Sequence, residues 1–245
     1  MTISVIIPAY NEENYIGQTL KSVVDNAPDN VVEVIVVDNA STDKTAEVVS
    51  KFPGVKIVEE KNKGLTRARQ AGLNAAKGDI IVYIDADTLA RKDWFEVLNR
   101  EFSLDPELIC LSGPYRYYGL PENMSRFFKL WYKAWFKIWY GFADFFIAYT
   151  HGYVVVGGNF AATKAALLKM GGFDTSIEFY GEDTDIARRL REIGKIKYSK
   201  DFWIHSSARR FNNEGLVMTG IRYLSNYMSV IFLKRPVTKK YNDVR

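Results

Sequence analysis

The stretch Ile80-Ile81-Val82-Tyr83-Ile84-Asp85-Ala86-Asp87 places two carboxylates directly after five apolar residues. An apolar run of this kind, Asp79 to Ile84, predicts a central strand that is covered on both faces, as in parallel sheets. Two carboxylates at the end of such a strand can share a divalent cation, because Mg²⁺ and Mn²⁺ favour oxygen ligands. Asp-x-Asp also occurs by chance in solvated turns before helices, so the surrounding sequence has to decide between the two interpretations.

The chain before this stretch alternates strand-like and helical patterns. Apolar runs predict strands at Ile3 to Pro8, Val31 to Val37 and Val55 to Val58. Helical spacing lies between them, at Glu12 to Asn26, Thr42 to Phe52 and Leu65 to Ala76. This order predicts a mostly parallel sheet with right-handed crossovers.

The second half of the chain is less regular. Helices are predicted at Trp94 to Phe102, Lys164 to Met170, Thr184 to Ile193 and Glu214 to Leu233. Strands are predicted at Leu108 to Tyr118 with a turn, at Val154 to Thr163 with a break at Gly157-Gly158, and near Ile196 and Phe202. We expect one domain over 1–235, with a nucleotide-binding half (1–118), an amphipathic helix (119–150), an acceptor half with the C-terminal helix (151–235) and a tail (236–245).

The composition is that of a globular protein. The 245 residues are 47% hydrophobic and 25% charged, which excludes a mainly disordered chain. A net charge of +4 permits an anionic ligand or membrane surface without requiring one, and we expect no nucleic-acid partner.

The single cysteine, Cys110, lies in an apolar run, and we expect it to be buried and free. The start shows no signal peptide, so we expect a cytoplasmic protein.

Three polar segments follow predicted strands, and ligands of such sheets bind beyond the carboxyl ends of the strands. The segments are Pro8-Ala9-Tyr10-Asn11-Glu12, Asp38-Asn39-Ala40-Ser41-Thr42-Asp43 and Asp85-Ala86-Asp87. Asp38 can accept hydrogen bonds from a base or from ribose hydroxyls, and Tyr10 can stack on a base. Ser41 or Thr42 can instead be read as a cap of the next helix.

Two further features offer chemistry. Gly181-Glu182-Asp183-Thr184-Asp185 contains carboxylates, one of which can act as a general base for a hydroxyl acceptor. The same acids also suit the positive N-terminus of a helix. His205, one of two histidines, can supply an imidazole ligand to a metal or serve a structural purpose.

Together these segments resemble glycosyltransferase family 2, the inverting enzymes with the GT-A fold. The resemblance runs from Ser4 to Arg210, and the segments that carry it are Val5-Ile6-Ile7-Pro8-Ala9-Tyr10-Asn11-Glu12, Val36-Val37-Asp38-Asn39-Ala40-Ser41-Thr42-Asp43, Gly64 with Ala68-Arg69, Ile84-Asp85-Ala86-Asp87, Gly157-Gly158-Asn159-Phe160 with Gly171-Gly172-Phe173-Asp174, and Gly181-Glu182-Asp183. The resemblance implies an α/β fold with a Rossmann-like, mostly parallel central sheet flanked by helices.

The resemblance also implies roles for individual residues. The nucleoside would be held by Ala9, Tyr10, Glu12 and Asp38, with Arg69 near it or the diphosphate. Asp85 and Ala86 would lie at the ribose and the shell of a Mn²⁺ or Mg²⁺ ion, and Asp87 and His205 would bind that ion. Asp183 would be the catalytic base, and Glu182 would shape the acceptor site.

The resemblance leaves the acceptor open. Ser207-Ala208-Arg209-Arg210 stands where processive relatives carry Gln-x-x-Arg-Trp, which favours transfer of a single sugar. A hydroxyl acceptor needs a base, so the Glu182-Asp183 pair favours a glycan or lipid-linked hydroxyl over the phosphate of a polyprenyl-phosphate sugar synthase. The alternative of another class is a non-catalytic nucleotide-binding membrane protein; no Gly-rich phosphate loop supports a P-loop or dinucleotide enzyme.

Aromatic and basic residues are concentrated between Met124 and Tyr153. Four cations at helical spacing, Arg126, Lys129, Lys133 and Lys137, lie among Trp, Tyr and Phe residues. This pattern predicts an aromatic amphipathic helix in a membrane interface, with a helix packed on the core or in a dimer as the alternative. We therefore expect a peripheral enzyme on the cytoplasmic face of the membrane.

Overall fold

The computed structural model describes residues 1–119, 154–177, 180–233 and 237–238, and these form two sheets with helices packed around them. The strands are β1 (Ile3–Ala9), β2 (Val31–Asp38), β3 (Val55–Glu59), β4 (Ile80–Ile84), β5 (Thr88–Leu89), β6 (Leu108–Ser112), β7 (Tyr115–Tyr118), β8 (Asn159–Thr163), β9 (Lys195–Tyr198) and β10 (Ile204–Ser207). The helices are α1 (Ile16–Val24), α2 (Thr45–Ser50), α3 (Leu65–Ala75), α4 (Trp94–Leu104), α5 (Lys164–Lys169), α6 (Glu182–Arg191), α7 (Arg209–Glu214) and α8 (Leu216–Leu233).

The large sheet has seven strands in the order β3-β2-β1-β4-β8-β6-β9. Its first four strands are parallel, and β6 pairs parallel with β9. Among the described strands of this sheet, only β8 runs antiparallel to its neighbours, β4 and β6. The prediction of a mostly parallel sheet flanked by helices is therefore confirmed.

The stretch quoted at the outset forms the centre of this sheet. All five residues of β4 are buried, and β1 is buried along its whole length. One face packs through Val82 and Ile84 against α1 and α4, whereas Ile81 and Tyr83 pack on the other face against α3, α5 and α6. Coverage on both faces explains why the strand is continuously apolar. Cys110 is buried and free, as predicted.

A second sheet of three strands, in the order β5-β10-β7, lies at the end of β4 and was not predicted. It contains the two-residue strand β5, which follows Asp87 directly. The buried amide of Asn159, the first residue of β8, ties the two sheets together. Its Nδ2 donates to the carbonyls of Phe202 (2.6 Å) and Gly113 (3.1 Å), and its Oδ1 accepts from the indole of Trp94.

Helices α1 and α2 begin later than predicted, because the residues just before them form hydrogen-bonded turns. The carbonyl of Glu12 accepts the amides of Tyr15 and Ile16, which forms a turn before α1. Before α2, Asp43 accepts the amide of Thr45.

The predicted aromatic amphipathic helix lies outside the described residues, and so does most of the predicted tail. That helix and the division into halves stay predictions. Within the described ranges, no helix is long and apolar enough to cross a membrane.

Candidate active site

The polar segments after β1, β2 and β4 meet at one edge of the large sheet. β1 and β2 end in register, with Ala9 opposite Asp38, and Asp85 follows the neighbouring strand β4. The convergence predicted from the parallel order is what the structure shows. Asp85 is the more open of the two carboxylates of the Asp-Ala-Asp tripeptide, with 37% of its side chain exposed against 12% for Asp87.

The loops after β1 and β2 hold each other through hydrogen bonds. The Asn11 amide donates to Ser41 Oγ (3.0 Å), the Thr42 amide donates to Asn11 Oδ1 (2.8 Å), and the Glu12 amide donates to Thr45 Oγ1 (2.7 Å). Ser41 and Thr42 thus tie the two loops together, and neither caps α2 with its side chain. Asn11 and Ala40 adopt left-handed backbone conformations, with φ of 52° and 62°. Strained loop residues of this kind concentrate at functional sites.

Tyr10 and Asp38, the predicted nucleoside contacts, border this loop pair. Lys63 Nζ lies 3.6 Å from the centroid of the Tyr10 ring, a cation–π contact. Asp38 Oδ1 accepts the amide of Ser41 (3.1 Å). The buried side chain of Asn39 donates to the carbonyl of Asn62 and accepts from the amide of Gly64, which ties down the loop that carries Lys63.

Arg69, on α3, connects the two sides of the site. Only 1% of its side chain is exposed, and its guanidinium forms ion pairs with Asp85 (3.8 Å) and with Glu182. The hydroxyl of Tyr115 donates to the other oxygen of Asp85 (2.8 Å). Burial and the Asp85 charge raise the pKa of Tyr115 well above its ordinary value, so its hydroxyl stays protonated. The strand-end carboxylate of Asp85 and the carboxylate of Glu182 at the start of α6 therefore share one guanidinium.

Gly157 and Gly158 lie close to the side chains of this charged cluster. A Cβ atom on Gly157 would lie 2.6 Å from a carboxylate oxygen of Glu182 and 2.9 Å from the Arg69 guanidinium. A Cβ atom on Gly158 would overlap the carboxylate of Asp85 and the hydroxyl of Tyr115. The sequence predicted only that this glycine pair breaks a strand. Both positions require glycine because four polar side chains approach them closely.

Glu182 and Asp183 begin α6, where the helix-terminus interpretation of this acidic cluster expects them, and the general-base interpretation stays a prediction. Burial raises the pKa of Glu182 to about 8, against the opposing effect of Arg69. Burial also raises the pKa of Asp183 above its ordinary value, although the Thr184 amide donates to its carboxylate (2.8 Å). A carboxylate with a raised pKa is a stronger base, which is the property that proton abstraction from a hydroxyl requires.

Arg209, at the start of α7, is a site residue that the sequence did not single out. It donates to both carboxylate oxygens of Glu12, at 2.6 and 2.8 Å, and its Nε pairs with Asp87 Oδ2 at 2.9 Å. Its only signal in the sequence was its place in the segment Ser207-Ala208-Arg209-Arg210. That segment was used to show that the Gln-x-x-Arg-Trp motif is absent, and no role was assigned to Arg209. Tyr115 carried no signal of its own, because its role depends on the second sheet.

The sequence model described as Glycosyl transferase family 2 matches residues 4–171, more than half of the chain. The chain belongs to glycosyl transferase family 2. Among curated relatives, a probable glycosyltransferase of Bacillus subtilis, YdaM, is 30% identical over 204 residues, which cover 78% of this chain and 47% of YdaM. An uncharacterized glycosyltransferase of Haemophilus influenzae is 34% identical over 129 residues, 51% of each chain. The chain thus spans about half or less of these relatives' length.

Solved structures show the same fold. Residues 1–349 of TarS of Staphylococcus aureus, in complex with UDP-GlcNAc, superpose with a TM-score of 0.66 at 20% identity, covering 98% of this chain and 68% of that fragment. The mannosyltransferase PcManGT of Pyrobaculum calidifontis, in complex with GDP-Man and Mn²⁺, gives 0.66 at 24% identity, covering 90% and 64%. The family 2 chain therefore has the GT-A fold, and it belongs to a family of enzymes that transfer sugars.

His205 lies on β10 of the small sheet, and Asp87 directly precedes the neighbouring strand β5. His205 is opposite Leu89 on β5, its ring packs edge-to-face on Trp203 at 4.9 Å, and the next-but-one residue, Ser207, donates its amide to the Asp87 carbonyl. Across the described ranges, no three His, Cys, Asp or Glu side chains form a metal-binding group. Mg²⁺ and Mn²⁺ commonly use one or two protein carboxylates and complete their shell with substrate phosphates, so Asp87 is the kind of ligand that such an ion uses. In the structure Asp87 Oδ2 is paired with Arg209 Nε at 2.9 Å, and metal binding by Asp87 stays a prediction. A metal-binding role of His205 stays a prediction.

Proposed function

We propose that the protein transfers one sugar from a UDP- or GDP-sugar to a hydroxyl acceptor with inversion, using Asp183 as general base. The observation that carries this proposal is the position of Arg69, which pairs with Asp85 and Glu182 at once. Asp85 at the strand end, where the donor would lie, and Glu182 on α6, where the acceptor would lie, contact the two terminal nitrogens of one guanidinium. Donor and acceptor would then meet beside Gly157 and Gly158.

The donor nucleotide would lie on the paired loops after β1 and β2. The Tyr10 ring would stack on the base, and Asp38 with the backbone of Ala9 would accept and donate hydrogen bonds at the nucleoside. Glu12 is held by Arg209 beside the same edge. Asp85 and Ala86 would face the ribose, with Asp85 oriented by the hydroxyl of Tyr115.

A Mn²⁺ or Mg²⁺ ion would be held by Asp87, with His205 as a candidate second ligand. When bound, such an ion neutralises charge on the leaving diphosphate. Arg69 is too deeply buried to serve as a main phosphate ligand, and we assign it to orienting Asp85 and Glu182 instead.

The transfer would be a single displacement. Asp183 removes the proton of the acceptor hydroxyl while that oxygen forms a bond to the anomeric carbon, and the bond from this carbon to the diphosphate breaks. Attack on the face opposite the leaving group inverts the configuration. The raised pKa of Asp183 suits this role, and Glu182 would orient the acceptor beside it.

The acceptor would be a glycan or lipid-linked hydroxyl near a membrane, with the enzyme peripheral on the cytoplasmic face. The support within the described residues is the outer side of α8, where Met218, Ile221 and Leu233 are exposed. Large apolar residues spaced along one helix suit an interfacial position. Flotation with anionic liposomes tests this part, and absence of binding at low and high salt would contradict it.

A donor screen tests the transfer itself. UDP-glucose, UDP-galactose, UDP-N-acetylglucosamine and GDP-mannose are each incubated with the protein, Mn²⁺ and lipid extract, and release of nucleoside diphosphate is measured. We expect release from one donor class, loss of it with EDTA, and loss of it in Asp87→Ala. Lys21→Ala, an exposed change on α1, is the control. No release from any donor under these conditions would count against the proposal.

A further inference from the structure

The side chain of Arg209 closes a bridge between two acidic groups that lie far apart in the sequence. Its Nη atoms make two hydrogen bonds to the carboxylate of Glu12, at 2.6 and 2.8 Å. Its Nε lies 2.9 Å from Asp87 Oδ2. The guanidinium also lies over the ring of Tyr15, at 4.6 Å from the centroid. Arg209 thus has three polar contacts and one aromatic contact, all within the donor side of the site.

The bridge is poorly hydrated. The exposed fractions of the three side chains are 3% for Glu12, 12% for Asp87 and 16% for Arg209. Charges in such surroundings interact more strongly than they would in water. Two carboxylates here need a counter-ion, and Arg209 supplies one positive charge to the pair.

A guanidinium and a divalent cation on one carboxylate repel each other, so the same oxygen cannot serve both without cost. Of the contacts that Arg209 makes, the bidentate pair with Glu12 is the stronger, because two parallel charge-assisted bonds form there. The single contact to Asp87 is therefore the one that can be exchanged. Tyr15 and Glu12 would keep the guanidinium in place after the exchange.

We propose that Arg209 is an internal counter-ion that occupies Asp87 until a divalent cation and the donor diphosphate enter together. This inference rests on the proposed function, which places a cation at Asp87. Arg209 acts through Asp87 and is a positioning residue. Its charge disfavours the cation alone, and the negative diphosphate removes that penalty, so cation and donor bind as one unit.

Titration with Mn²⁺ alone tests the inference, with free Mn²⁺ followed by electron paramagnetic resonance on the full chain. In Arg209→Ala we expect Mn²⁺ to bind at least about tenfold tighter than in the wild type, because a repelling charge has been removed. Arg209→Lys keeps the charge and should stay close to the wild type. Arg210→Ala is the matched control, since Arg210 contacts Glu214 and Tyr180 instead of Asp87.

Unchanged or weaker Mn²⁺ binding in Arg209→Ala would overturn the inference, because Arg209 would then be a fixed support of Asp87. A thermal melt verifies folding, and Arg209→Gln replaces the alanine variant if that variant unfolds. Asp87→Ala separates this failure from failure of the proposed cation site. If Asp87→Ala still binds Mn²⁺ normally, the cation site is misplaced and the inference falls with it; if it loses Mn²⁺ while Arg209→Ala is unchanged, only the counter-ion role is wrong.

Discussion

Arg69 illustrates at the residue scale how a buried charge is made tolerable. A buried arginine needs partners that offset its lost hydration, and here Asp85 and Glu182 are the carboxylates with which it pairs. One guanidinium facing several acids leaves excess negative charge around the buried side chain of Glu182. Burial therefore favours a proton on Glu182, whose pKa rises to about 8.

The pKa of Glu182 predicts how stability changes with pH. Because that pKa is raised from 4.5 to about 8 in the folded state, the folded protein binds more protons than the unfolded chain between these values. The contribution of Glu182 to the free energy of unfolding therefore falls as pH rises through this window. Thermal melts should show Glu182→Gln gaining in Tm relative to the wild type from pH 5 to pH 8. A difference that does not change with pH would contradict the raised pKa.

Gly158 offers a steric test at the same scale. A methyl group at this position would overlap the Asp85 carboxylate and the Tyr115 hydroxyl, so Gly158→Ala should displace Asp85. We expect donor turnover to fall by at least about tenfold, since small displacements of binding groups are costly. Steady-state kinetics measure this effect. Gly17→Ala, where the new methyl group meets Val48 at an ordinary 3.4 Å, is the control, and equal activity of both variants would contradict the close packing.

At the scale of elements, the small sheet β5-β10-β7 determines where Asp87 lies. The Asp87 carbonyl accepts from the Ser207 amide (3.2 Å) and from the Tyr118 hydroxyl (3.0 Å). The sequence could not show this arrangement, because β5 has two residues and its partners come from distant segments. Arg209 was missed for the same reason: its carboxylate partner Glu12 is nearly two hundred residues away.

The side chain of Asn159 allows a test of how strongly the junction of the two sheets stabilises the fold. Its buried amide bonds to the carbonyls of Phe202 and Gly113 and to the Trp94 indole. Asn159→Ala leaves these groups unsatisfied, and we expect a loss of about 2–3 kcal/mol in the free energy of unfolding. Urea denaturation measures this loss. Asn74→Ala, on the exposed side of α3, should change stability by less than about 0.5 kcal/mol. Equal effects of both variants would show that Asn159 does not join the sheets.

At the scale of the whole molecule, the alternation of apolar strands and amphipathic helices was enough to predict the large sheet and the convergence of the polar segments at one of its edges. Parallel order brings Ala9, Asp38 and Asp85 together by topology alone. What connects this edge to α6 could not be predicted, because Arg69, Tyr115 and Gly157-Gly158 meet only after the second half of the chain folds back. Long-range contacts of this kind leave no periodic pattern in the sequence.

The most direct test of the proposed transfer is a comparison of Asp183→Asn with the wild type. Isothermal titration with the nucleoside diphosphate of the accepted donor, in parallel with a transfer assay, separates binding from chemistry. We expect Asp183→Asn to bind the nucleotide within about twofold of the wild type while transfer falls by at least about a thousandfold. Transfer at near-normal rates in Asp183→Asn would contradict the assignment of Asp183 as the base.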